Sequence, residues 1–216
     1  MNENPFSLNF GKTPYRLISR NSYIDEIVDT FNSSTPSSFL YIVTGVRGSG
    51  KTVTMASVVN RIKNDDNWIA ISLNPNRDLL TSLAAELYEH PLLKAAFIKA
   101  NIGFSFGFSA SLTTEGPPAD IEVQLKKMLA VLKKLNKKVL IAIDEVTNST
   151  NMRVFASSYQ MLLYEEYPVF LIMTGLYANI KSLQDEKSLT FLYRAPKYEL
   201  KPLSINTMAN NYKDIF

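Results

Sequence analysis

The sequence predicts an α/β fold in which helices cover both faces of a parallel sheet, a three-layer α/β/α sandwich. Short apolar runs alternate with helical patterns along the 216 residues, and the middle runs are apolar throughout, as in parallel strands buried on both faces. This alternation favours a doubly wound sheet. The predicted strands are 39–44, 68–73, 139–144, 168–174 and 197–200. The predicted helices are 51–64, 78–100, 121–136, 153–165 and 176–184.

Composition indicates a globular domain and excludes several kinds of site. With 46% hydrophobic and 20% charged residues, the chain is long enough to bury a sizeable core. The absence of cysteine excludes disulfides, thiolate catalysis and cysteine-ligated zinc, and the single histidine, His90, excludes a histidine-cluster metal site. A polar N-terminus and the lack of an apolar run of membrane-spanning length predict a cytoplasmic protein with no membrane partner.

The first predicted strand runs into TGVRGSGKT, residues 44–52, and a helical pattern follows it. From Gly45 onward the stretch fits G-x-x-x-x-G-K-[ST]. Its glycines let backbone N–H groups turn towards phosphate oxygens, and the next helix adds its positive end. Lys51 is expected to reach the β and γ phosphates of a nucleotide, and the Thr52 hydroxyl to bind Mg²⁺. The predicted nucleotide-binding residues are Gly45, Val46, Arg47, Gly48, Ser49, Gly50, Lys51, Thr52 and Val53.

A second predicted strand, in KKVLIAIDEV, ends in an acidic pair. Asp144 is predicted to hold the Mg²⁺ shell, and Glu145 to orient and polarise the attacking water. The alternative is that an acidic residue here caps a helix. One other predicted strand, 68–73, lies between the two motif strands. In phosphate-loop proteins of this kind we expect the motif strands side by side and a P-loop NTPase sheet of order 5-1-4-3-2.

Two segments carry patterns with more than one interpretation. Residues 102–112, IGFSFGFSASL, alternate apolar and small or polar residues, which predicts a β-ribbon insertion packed on the main sheet or, if exposed, a partner-binding strand. The helix at 121–136 carries an apolar stripe of Leu125, Met128, Leu129, Leu132 and Leu135. Its other side carries Lys126, Lys127, Lys133, Lys134 and Lys137. The lysines form either a DNA or acidic-partner surface or an ordinary solvated face.

With these motifs the chain resembles the AAA+ ATPases, in particular the branch of prokaryotic signal-transduction-like and origin-recognition-like proteins. NPFSLNFGKTPYRLISRNSYIDEIVDTF is similar to the family's N-terminal segment, with Ser19 in place of its glycine and Arg20 retained. The resemblance implies that residues 15–18 line the base pocket. FLIMTGLYANI resembles the sensor-1 strand, which implies that Thr174 touches the γ-phosphate or the water; a core threonine is the alternative.

The resemblance extends to the end of the chain. LTFLYRAPKYELKPLS is similar to the end of the family's core and implies that Arg194 is an arginine finger for a neighbouring subunit's nucleotide, or else a surface or ion-pair residue. Residues 1–205 are then the nucleotide-binding core. Residues 206–216 are predicted to begin a helical lid, so that the chain is either a truncated core or a lidless protein. Without a lid, hydrolysis is expected to be slow.

These features predict a Mg²⁺-dependent ATPase that couples ATP binding and hydrolysis to conformational change or assembly. No guanine-reading N-K-x-D motif follows the fourth strand, where the sequence is TGLYANIKS, so ATP is favoured over GTP. The alternatives are a non-catalytic nucleotide switch and a DNA-associated initiator or mobile-element ATPase. The expected partners are ATP, further copies of the chain, DNA and a protein client.

Overall fold

The computed structural model describes residues 21–102 and 120–202. Within them, five strands form one sheet in the order β2-β3-β4-β1-β5, and every pairing is parallel. This order is the predicted 5-1-4-3-2 read from the other edge, so the P-loop NTPase fold class is confirmed. The strands are β1 (Leu40–Gly45), β2 (Trp68–Leu73), β3 (Lys138–Ile143), β4 (Val169–Gly175) and β5 (Lys197–Leu200).

Helices fill the connections between the strands. They are α1 (Asn21–Asn32), α2 (Lys51–Ile62), α3 (Leu79–Glu89), α4 (Pro91–Lys99), α5 (Ile121–Lys134), α6 (Thr150–Tyr164) and α7 (Tyr177–Gln184). A 3-10 segment, Lys187–Arg194, precedes β5. The predicted helix at 78–100 is divided in two at His90. This residue is extended (φ −64°, ψ 124°) because Pro91 disfavours a helical residue before it and starts a new helix well.

Both faces of the sheet are buried at the central strands β1, β3 and β4, which explains why these strands are almost entirely apolar. On β3, Val139, Ile141 and Ile143 pack into the larger core cluster with α3 to α7. Leu140 and Ala142 pack into the second cluster with α1 and α2. The strands β1, β3 and β4 therefore each supply alternate side chains to two helical layers.

The expectation that the two motif strands lie side by side is wrong. β4 lies between them, because β1 pairs with β4 through Val43↔Thr174 and β3 pairs with β4 through Ile143↔Met173. After β3, the chain passes through α6 and returns as β4, which occupies the position between β3 and β1 in the sheet. The polar residue at the end of β4, Thr174, consequently lies between the two motifs.

The lysine-bearing helix is tied to the rest of the chain. Of its apolar stripe, all but Leu135 are buried, and Leu135 is exposed because it occupies the C-cap after α5 ends. Three lysines make contacts within the chain. These are Lys126 Nζ to Glu165 Oε1 at 2.5 Å, Lys133 Nζ to the Glu166 carbonyl at 2.9 Å, and Lys137 Nζ to the Asp66 carbonyl at 2.5 Å. These three lysines therefore join α5 and the residues after it to neighbouring segments of the chain.

Several predictions fall on residues that the structure does not describe. The β-ribbon at 102–112 lies outside the described residues except for Ile102, which is buried. The base-pocket segment 15–18 and the lid start at 206–216 also lie outside them. None of the helices in the two described ranges has the length and apolar character needed to cross a membrane.

His90 makes stability depend on pH below neutrality. Burial lowers the pKa of this imidazole below 6.5, and Lys63 lowers it further against the opposing effect of Glu86. The buried Nδ1 has no hydrogen-bond partner among the described residues. The unfolded chain therefore takes up the proton first as the pH falls. We expect full stability above about pH 6.5 and a loss below it, where each tenfold difference in proton affinity corresponds to about 1.4 kcal/mol.

Urea unfolding at pH 7.5 and 5.5 measures this loss, with His90→Gln as the comparison. The variant should show a smaller decrease in the urea midpoint between the two pH values, because it has no histidine to protonate. An equal decrease in both proteins would show that other groups cause the pH dependence.

Candidate nucleotide-binding site

The loop between β1 and α2 has a backbone conformation suited to binding phosphate groups. Gly45, Gly48 and Gly50 have φ of 154°, 76° and 91°, a range that side chains with a Cβ rarely adopt. A Cβ on Gly45 would also lie 2.6 Å from the Leu200 carbonyl oxygen. Gly50 precedes α2 without a side chain to cap it, so the first N–H groups of the helix remain available to an anion.

Lys51 is hydrogen-bonded to the loop that precedes it. Its side chain is buried, and its Nζ donates to the carbonyl oxygens of Gly45 at 3.0 Å and Val46 at 2.8 Å. Ser49 is buried as well, whereas Val46 and Arg47 are exposed. The loop therefore presents glycine backbone and one ammonium group, which suits it to several negative charges on one ligand.

The two motifs meet at the Asp144 carboxylate. Thr52 Oγ1 donates to Asp144 Oδ2 at 2.7 Å, although the two residues are 92 positions apart in the chain. Asp144 does not cap a helix: α6 begins at Thr150, and its N-cap is Ser149, whose hydroxyl accepts from Met152 N at 3.2 Å. The Asp144 side chain therefore contacts the start of α2 and does not cap α6.

The other carboxylate oxygen belongs to a second set of contacts. The buried Thr174 hydroxyl donates to Asp144 Oδ1, and the backbone N–H of Glu145 donates to the same oxygen at 3.0 Å. Oδ1 therefore accepts from two donors, one on β4 and one in the next residue of the chain, and Oδ2 accepts from one donor on α2. Each oxygen has a different environment, which fixes the plane of the carboxylate.

Glu145 is exposed, and its backbone is left-handed with φ 55°. This conformation costs a residue with a Cβ about 1–2 kcal/mol. No donor among the described residues contacts its carboxylate. The backbone of Glu145 is thus held by hydrogen bonds, whereas its side chain is exposed.

Magnesium fits the donors that the structure brings together. No group of three or more histidine or acidic residues is placed to hold a metal anywhere in the described ranges. Thr52 and Asp144 offer one hydroxyl and one carboxylate 2.7 Å apart. A Mg²⁺ site of this kind takes few protein ligands and completes its octahedron with phosphate oxygens and water.

Arg194 is not brought to the loop of its own chain. It ends the 3-10 segment before β5, whereas the loop follows the other end of β1, and β1 and β5 are parallel. It is exposed, and no described acidic group forms an ion pair with it. The register therefore places Arg194 before the start of β5, and the loop with Lys51 after the opposite end of the paired strand β1.

A polar cluster beside the site has no counterpart among the sequence motifs. Asn148 Nδ2 donates to the Ser182 carbonyl at 3.1 Å and to Glu186 Oε1 at 2.8 Å, and Arg153 Nη1 donates to Asn148 Oδ1 at 3.1 Å. The cluster joins the segment after Glu145 to α7. Single polar residues at irregular spacing give no sequence signal for such a cluster.

Solved structures share this fold at low sequence identity. Cdc6p from Pyrobaculum aerophilum superposes with a TM-score of 0.62 at 15% identity, over 96% of this chain and 52% of that one. ORC1 of Aeropyrum pernix, solved in complex with DNA, gives 0.60 at 13% identity over 94% and 50%. ORC2 of the same organism, in ADPNP-ADP complexes, gives 0.60 at 14% over 96% and 54%. The chain shares the fold of about half of each of these structures.

The likeness to Cdc6 and ORC proteins is one of structure. No protein-family model matches the sequence, and no curated protein sequence does. The chain spans about half the length of the Cdc6/ORC structures. The likeness supports the P-loop NTPase fold expected from the sequence, and the chemistry rests on the residues described above.

Proposed function

We propose that the chain binds ATP with Mg²⁺ and hydrolyses it slowly, and that the cycle drives a conformational change or assembly. The observation that carries this proposal is the hydrogen bond of 2.7 Å from Thr52 Oγ1 to Asp144 Oδ2. It unites a glycine loop that suits phosphates with a carboxylate that suits a metal. A glycine turn with only a structural role would not require a hydrogen bond between its threonine and a distant carboxylate.

In the proposed site, backbone N–H groups of residues 45–52 bind the phosphate oxygens. Lys51 exchanges its bonds to the loop carbonyls for the β and γ phosphates. Thr52 and Asp144 hold Mg²⁺, which when bound neutralises charge on the phosphates and the leaving oxygen. Val53 lies in the first turn of α2 and extends the binding segment into the helix.

Glu145 is the proposed catalytic carboxylate. In this proposal its exposed side chain orients the water that attacks the γ-phosphate and accepts a proton from it. Because this carboxylate is open to solvent within the described residues, water is poorly excluded and the carboxylate is weakly constrained. Both factors favour slow turnover.

Arg194 remains a proposed arginine finger, and only towards a second copy. The strands place it away from its own loop, and its exposed side chain is available to another molecule. A homo-oligomer would bring it to the neighbouring nucleotide. ATP stays the preferred nucleotide, since the residues after β4 contain no guanine-reading motif.

Phosphate release from purified protein tests the proposal. We expect slow release with ATP and Mg²⁺, less with GTP, and none when EDTA removes the metal. Lys51→Ala should abolish both ATP binding and phosphate release, because the loop at 45–52 loses its only lysine. ATP binding without any release would instead support a non-catalytic nucleotide switch. Absence of ATP binding would reject both functions.

A further inference from the structure

Thr174 occupies an unusual position for a residue expected to touch a phosphate. It is the sixth residue of β4 and has no solvent-exposed surface. It lies between the two motif strands, opposite Val43 of β1. Its neighbourhood is closely packed, since a Cβ on the following Gly175 would lie 3.0 Å from Ile180 Cδ1 and 3.2 Å from the Val146 carbonyl oxygen.

The hydroxyl of Thr174 is already engaged in hydrogen bonds. Its single proton is donated to Asp144 Oδ1, and its oxygen accepts from Glu145 N at 3.1 Å. A hydroxyl has one donor and two acceptor positions. The acceptor position that remains cannot bind a phosphate oxygen, which is itself an acceptor.

The same residue also fixes the chain that follows β3. The carbonyl oxygen of Thr174 accepts from Val146 N at 2.8 Å. Glu145, between these two contacts, is held in its left-handed conformation by a backbone N–H shared between Asp144 and Thr174. Such a conformation persists where its surroundings determine it from several sides.

We propose that Thr174 is a positioning residue that sets the Asp144 carboxylate for the metal and anchors the backbone of Glu145, and that it does not touch the nucleotide. This inference rests on the proposed function, because it assigns Asp144 to the metal. The Thr174 hydroxyl holds Oδ1 so that Oδ2 is presented to the loop side. Without the Thr174 hydroxyl, the Asp144 carboxylate can rotate, and Mg²⁺ would meet a ligand that is no longer held in one orientation.

The test compares ATP affinity with Mg²⁺ and with EDTA, measured by titration with a fluorescent ATP analogue. Thr174→Val keeps the shape of the side chain and removes the hydroxyl. We expect an unchanged affinity in EDTA and about a tenfold smaller enhancement by Mg²⁺, the effect of one hydrogen bond to a charged group. Thr174→Ser keeps the hydroxyl and should restore the enhancement.

Thr44→Val is the matched control. Thr44 is equally buried at the end of the adjacent strand, opposite Gly175, and donates no hydrogen bond to Asp144. It should leave the Mg²⁺ enhancement unchanged. Should Thr174→Val not fold, Thr174→Ala tests the same hydroxyl.

The outcomes separate this inference from the proposed function. A Thr174→Val protein that keeps the full enhancement, or loses affinity equally with Mg²⁺ and EDTA, overturns the positioning role and leaves ATP binding standing. A parent protein whose ATP affinity does not depend on Mg²⁺ overturns the metal assignment and this inference together.

Discussion

Glu145→Gln should lower the rate of ATP hydrolysis by about 10²- to 10⁴-fold and leave ATP affinity within about threefold of the parent value. Glutamine keeps the size of the side chain but cannot accept the proton of the attacking water. The backbone of residue 145 stays in place, since its N–H bonds to Asp144 Oδ1 and Thr174 Oγ1 do not involve the side chain. Single-turnover phosphate release and equilibrium titration measure the two effects.

The chain provides a close control for this substitution. Glu166 is also an exposed glutamate in the left-handed region, with φ 58°, but it follows α6 and has no contact with the loop. Glu166→Gln therefore removes the same charge from a residue of the same backbone conformation, but away from the site. The Glu166→Gln protein should hydrolyse ATP at the parent rate. Equal rates for Glu145→Gln and the parent would remove Glu145 from the mechanism.

The second large effect concerns the metal. Thr52→Val and Asp144→Asn should each reduce the Mg²⁺ enhancement of ATP affinity by about 10- to 100-fold, the cost typical of disturbed metal sites. Because both residues serve one ion, the double variant should lose little more than either single variant. Neighbouring residues that act together show such non-additive effects. Titrations of the four proteins with and without Mg²⁺ give the coupling.

Two conservative changes elsewhere control for loss of a hydroxyl or a charge. Ser57→Ala removes a hydroxyl from the same helix, where it donates to the Val53 carbonyl at 2.8 Å. Asp78→Asn removes a carboxylate that caps α3 by accepting from Thr81 N. Both should retain the Mg²⁺ enhancement. Additive losses in the Thr52 and Asp144 variants would contradict the assignment of both residues to one ion.

The fold could be predicted because its signals are local. Buried parallel strands are apolar on both faces, so β2 spans the predicted 68–73, and β1, β3 and β4 differ from the predicted runs by one residue. The division of the predicted helix at His90 follows from Pro91, also a local signal. The predicted sheet order already places β4 between the motif strands and is confirmed, whereas the separate expectation that the motif strands are neighbours is wrong.

The site divides in the same way. The glycine loop and the acidic pair are contiguous motifs, so the sequence identifies them directly, and the structure brings Thr52 to Asp144. The bonds of Thr174 depend on strand register and on the left-handed turn at Glu145, which no sequence pattern reveals. The cluster around Asn148 likewise depends on how α6 and α7 pack.

A crystal structure with a non-hydrolysable ATP analogue and Mn²⁺, located by its anomalous scattering, tests the central claim most directly. We predict one ion bound to Thr52 Oγ1 and to phosphate oxygens, with Asp144 in contact directly or through a single water, and the phosphates along residues 45–52. An ion remote from Asp144, or a nucleotide whose phosphates lie away from Lys51, would contradict the assignment.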